Sequence, residues 1–108
     1  VGDGAGDAHV VLAGDLNATP DLGSFAALVN ADGALGPVRL VDPLADRPDA
    51  LSHPADAPER RLDHVLLSAS VSARMVAVHV ARPLGEASAA LSDHLPVVVT
   101  LVAPPAGR

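Results

Sequence analysis

Cysteine, lysine, isoleucine, tryptophan and tyrosine are all missing from this 108-residue chain, and Phe25 is its one aromatic of the Phe/Tyr/Trp class. Without cysteine there is no disulfide frame and no thiolate metal site. Without Tyr or Trp there is little on which nucleic-acid bases could stack. The seven basic residues are all Arg against 13 acidic ones, a net charge of −6 with no basic patch. Binding to a nucleic-acid backbone is dominated by phosphate neutralisation. A nucleic-acid substrate would therefore be held by residues outside this chain or by a metal ion. No apolar run reaches transmembrane length, and no signal-peptide pattern is recognisable. The lack of Lys and Ile reads as coding bias and carries no functional weight.

What is present is Ala, Val and Leu, which make up most of a 49% hydrophobic content. That composition predicts a core of small and branched side chains in one small domain. The chain begins at Val1 and its only Met is Met75, so it is expected to be a piece of a longer protein.

Residues 1–8 read as a flexible lead-in of Gly, Asp and Ala. His9 to Ala13 reads as a buried strand ending at Gly14, followed by a polar loop from Asp15 to Asp21. Ser24 is placed to cap a helix whose buried face is Phe25, Leu28 and Val29, with Gly33 as its stop. Arg39 to Asp42 reads as a short extended piece, and the Pro-rich stretch Leu44 to Glu59 as loop. Further strands are expected over Arg61–Ser68, over Ser72–Arg82 with Val76, Val78 and Val80 on one face, and over Pro96–Val102. Pro83 to Ser92 reads as loop with a short turn, and 103–108 as a fraying tail. This is mixed α and β. Strands apolar on both faces imply sheets covered by further layers, which one short helix cannot supply.

Three polar groups sit at strand edges. Asp15 and Asn17 lie two apart after Gly14, a pattern that also serves ordinary turns. Asp63 lies in an apolar strand, where an unpaired carboxylate is costly. Its partner is either a neighbouring arginine, Arg60 or Arg61, or an imidazole whose tautomer it fixes. Asp93 and His94 precede the last strand, either as a capped turn or as an acid and base facing opposite ways.

Taken together and in order, Gly14-Asp15-Leu16-Asn17, Arg61-Leu62-Asp63 and Ser92-Asp93-His94-Leu95-Pro96-Val97 resemble the C-terminal half of the endonuclease/exonuclease/phosphatase superfamily, the exonuclease III and deoxyribonuclease-like fold. The run Asn17-Ala18-Thr19-Pro20-Asp21 also fits. The resemblance covers about His9 to Val102, with Leu16 where the family has Phe and His64 where it has an aromatic residue. It implies half of a four-layer α/β sandwich of mainly antiparallel strands and a metal-dependent phosphoesterase. In that role His94 acts as general base or phosphate stabiliser, oriented by Asp63. Asp15 aligns the nucleophile, Asn17 donates to a phosphate oxygen, and Asp93 helps hold Mg²⁺ or Mn²⁺. His53, on the loop before the Asp63 strand, is a candidate to approach substrate.

The family's N-terminal half carries a metal-binding Glu. Glu59 and Glu86 are the only Glu residues here, and neither has the matching context. The missing half-domain is thus the expected partner, and a catalytically incomplete remnant is the alternative. Uncovered strands also predict self-association of the isolated chain.

Overall fold

The computed structural model describes residues 9–29 and 39–103. The lead-in 1–8, the helix stop at Gly33 and residues 104–108 of the tail lie outside them. The described chain is mixed α and β, and every strand pair is antiparallel. Strands β1 (Val11–Asp15), β3 (Asp63–Ser68) and β2 (Leu40–Val41) form a sheet in the order β1-β3-β2. Strands β4 (Met75–Val80) and β5 (Val97–Leu101) form a second sheet of two. Helix α1 (Gly23–Val29) is the only described helix longer than four residues.

The core lies between α1 and one face of the first sheet. Ala18, Phe25, Leu40 and Leu66 form its buried centre, with Leu12, Leu16, Leu28 and Val29 packed around them. Period-two alternation turns Leu66 and His64 of β3 into this core and leaves Asp63 on the opposite face. Leu66, at 0% exposure, and His64, at 1%, are both fully buried. In the same core Arg61 forms a buried ion pair with Asp42 (Nη2–Oδ2 2.6 Å). The Arg61 Nη1–H also donates to His64 Nδ1 at 2.6 Å, while the His64 Nε2–H donates to the Ala18 carbonyl at 2.7 Å. The Phe25 ring rests on the imidazole, with centroids 4.5 Å apart. A buried charge without such partners would be strongly destabilising.

Four details depart from the sequence expectations. Strand β1, expected over His9–Ala13 and buried, runs from Val11 to Asp15 and is largely exposed, with Val11 at 53%, because only its Leu12 side packs on the core. Helix α1 begins at Gly23, so Ser24 lies inside its first turn; the entry is made by the Phe25 and Ala26 N–H groups donating to the Leu22 carbonyl. The third strand does not start at Ser72. Ala69–Ser72 form a helical turn, α2, closed by the Ala73 N–H on the Ala69 carbonyl, and buried Val71 anchors it. Finally, Val76, Val78 and Val80 do not share one buried face. Met75 opposes Leu101 and Ala77 opposes Thr100, so Val76 is an extra residue in the ladder. Such a bulge breaks the alternation, leaving Val76 60% exposed while Val78 is buried. The Pro83–Ser92 segment holds a 3₁₀ turn (Gly85–Ala87) and a one-turn helix, α3 (Ser88–Leu91).

Candidate active site

The site sits at the end of the first sheet where β1 finishes and β3 begins. The register places Asp15 directly opposite Asp63. Like charges opposite one another in a ladder repel, and a cation or hydrogen-bond donor between them relieves this. His94, on the segment leading into β5, takes that place. Its Nδ1–H donates to Asp63 Oδ2 at 2.6 Å, and its Nε2 faces Asp15 Oδ2 at 3.7 Å and Asp93 Oδ1 at 3.9 Å. The bond from Asp63, helped by the charges of Asp63, Asp15 and Asp93, holds the His94 pKa above the ordinary histidine value.

Local backbone chemistry aims these groups. Gly14 has φ 146°, a conformation that L side chains rarely adopt, at the residue before Asp15. Asn17 follows at φ 51°, which Asn tolerates better than most residues. The Asn17 N–H donates to Asp15 Oδ1 at 2.8 Å. The carboxylate therefore makes its turn with one oxygen and faces His94 with the other. In the same way the His94 N–H donates to Ser92 Oγ at 3.1 Å. At both places the turn reading and the cluster reading hold together. For Asp63 the two alternatives separate: Arg61 is committed to Asp42, and the partner of Asp63 is the imidazole.

His53 joins the cluster although it lies ten residues before Asp63. Its ring packs against that of His94 (centroids 4.6 Å, tilted 49°), and its Nε2 is 3.5 Å from Asp93 Oδ2. Ser52, fully buried, ties this loop in place and carries no signal in the sequence. Its Oγ accepts the Leu62 and Asp63 N–H groups, and its carbonyl accepts the Leu95 N–H at 2.8 Å. The Ala55 N–H donates to the Asp93 carbonyl at 2.7 Å. One loop thus fastens the start of β3 to the Asp93–Leu95 segment. Asp42 also carried no signal, being an acid after a short apolar pair.

Among the described residues, two groups have ligand atoms close enough to share a cation: Asp15, Asp63 and His94; and His53, Asp93 and His94. Exposed Asp15 and Asp93 suit a hard divalent ion, which keeps several waters and binds through one or two carboxylates. A hollow of about 570 Å³ between α1 and β2 is lined by none of these residues. A smaller one of about 220 Å³, lined by Gly14, Asp63, Val65 and Pro96, adjoins the cluster.

A sequence model of the Endonuclease/Exonuclease/phosphatase family matches residues 2–94. The chain belongs to that family. The match spans all three polar motifs and ends on His94. Comparison with curated proteins and with solved structures gave no match. Among the described residues, no helix is long and apolar enough to cross a membrane.

Proposed function

We propose that these residues form part of a metal-dependent phosphoesterase site that hydrolyses a phosphodiester or phosphomonoester. The observation that carries this reading is the His94 imidazole, held by Asp63 at Nδ1 with Nε2 turned toward Asp15 and Asp93. With its proton fixed on Nδ1, neutral His94 offers the Nε2 lone pair to an attacking water and takes its proton. Asp15 aligns that water from the other side. Asn17, exposed near the start of the same loop, donates its side-chain amide to a phosphate oxygen. Asp93 would hold Mg²⁺ or Mn²⁺. When bound, such an ion supplies neutralisation of the charge on the phosphoryl oxygens.

The test is hydrolysis of an aryl phosphodiester with and without Mg²⁺. Hydrolysis that disappears with chelator and returns with Mg²⁺ supports the proposal. Hydrolysis that ignores the ion, or that survives loss of His94, overturns it.

A second reading is a half-domain that needs a covering partner before it turns over. Its support is the apolar surface left open, including Val76 at 60% and Leu91 at 70% exposure. Turnover by the chain alone would dismiss this reading. Silence of the chain alone, followed by turnover once the family's N-terminal half is added, would establish it.

A further inference from the structure

The pair His53 and Asp93 admits two opposite uses, as two ligands to one cation or as a donor beside a carboxylate. We propose that His53 is a hydrogen-bond donor to a phosphoryl oxygen, its proton fixed on Nε2, and not a metal ligand; this rests on the phosphoesterase reading. The decisive feature is the other ring nitrogen. His53 Nδ1 is buried and, among the described residues, has no hydrogen-bond partner. A proton placed there would be a buried donor with no acceptor, which folded proteins rarely tolerate. On Nε2 the same proton faces the carboxylate of Asp93 at 3.5 Å, longer than an ordinary hydrogen bond. The neutral ring therefore carries Nε2–H.

A ring nitrogen bound to a metal has no proton, and metal-ligating imidazoles donate their other N–H to a carboxylate, carbonyl or water. Ligation through Nε2 would force the His53 proton onto the partnerless Nδ1. His94 has the opposite wiring, with its Nδ1–H satisfied by Asp63 and its Nε2 bare. The two packed rings thus offer one acceptor and one donor side by side. The first suits a water that must lose a proton, the second an anionic oxygen that needs a hydrogen bond. The mooring is stiff. The His53 N–H donates to the Arg60 carbonyl at 3.0 Å, the Arg60 N–H returns to the His53 carbonyl at 3.1 Å, and Ser52 and Ala55 are tied as described. These main-chain bonds fix the backbone that carries the ring.

Long-range ¹H–¹⁵N NMR of the 108-residue chain at mildly alkaline pH reads the tautomer directly. The expected spectrum has Nε2 of His53 protonated, before and after Mg²⁺ is added. Inorganic phosphate should then perturb that Nε2–H, and His53→Phe, which keeps a ring against His94, should bind phosphate roughly tenfold more weakly. His53→Gln, which keeps an N–H, should recover most of the loss. A proton on Nδ1, a switch to Nδ1 on adding Mg²⁺, failure of wild-type protein to bind phosphate, or equal phosphate affinity in His53→Phe would each overturn the proposal. Because none of these measurements requires turnover, a protein that fails to hydrolyse phosphoesters still decides the role of His53.

Discussion

His64 and His94 carry the same ring, and the fold drives them in opposite directions. His64 is the neighbour of Asp63 on β3 and turns into the core. There burial lowers its pKa, partly countered by its bond to the Ala18 carbonyl, with the Arg61 charge adding to the lowering. His94 approaches Asp63 from the other face, and the bond from that carboxylate raises its pKa. One face of one strand uses imidazole as a neutral connector in a packed network. The other uses it as a proton-binding group among three acids. The difference lies in what surrounds each ring: a guanidinium, a carbonyl and Phe25 around His64, carboxylates and the His53 ring around His94.

Removing each ring in turn should separate activity from stability. In protein that turns over, His94→Ala is expected to lower turnover by roughly 10² to 10⁴, the usual worth of a positioned acid–base group. Its urea midpoint should also fall, because Asp15 and Asp63 lose the imidazole between them, but by less than in the core variants. Near-full activity would remove His94 from the mechanism. On the core side, Asp42→Asn leaves the Arg61 charge buried without its partner and should cost about 3–5 kcal/mol in urea unfolding. His64→Ala opens a cavity beside Phe25 and strips the Arg61 Nη1–H and the Ala18 carbonyl of a partner, for about 3 kcal/mol. A His64→Ala protein as stable as the parent would mean that the core network is dispensable.

Titration offers a finer comparison. Cε1–H resonances should give His64 below and His94 above the ordinary histidine value, and Asp63→Asn should bring only His94 back toward it. The stability effects have opposite signs. The lowered value of His64 means that the unfolded chain binds its proton first. This contribution is fully present above the unfolded pKa and is lost as pH falls through the folded one. The raised value of His94 gives a contribution fully present below the unfolded pKa and lost as pH rises through the folded one. Two imidazoles titrating together would refute the contrast. The smallest effect is expected at the open apolar surface. Val76→Lys should change stability by no more than about 0.5 kcal/mol, yet reduce any self-association seen by light scattering.

Much of the candidate site was legible because its residues stand in short motifs at strand ends. Asp15, Asn17, Asp63, Asp93 and His94 could each be named from local context, and the order of the motifs pointed to the family. Ser52 and Asp42 could not, since a serine in a proline-rich loop and an acid after two apolar residues look like solvent-facing positions. Their partners are far away in sequence: Ser52 is bonded to Leu62, Asp63 and Leu95, and Asp42 to Arg61. The bulge at Val76 was equally hidden, because the Val-x-Val-x-Val alternation continues straight through it.

The amino-acid order by itself settled the class of fold, the place of the strands that carry the acids, and the family. Those properties follow from local patterning, with apolar runs punctuated by Gly, Pro and Asp. Only the tertiary structure decided which partner Asp63 takes, that Asp15 stands opposite it, and that His53 lies against His94. Each of these depends on strand register and on loops closing over tens of residues. A slip of one residue in β3 would exchange Asp63 and His64 between the site and the core.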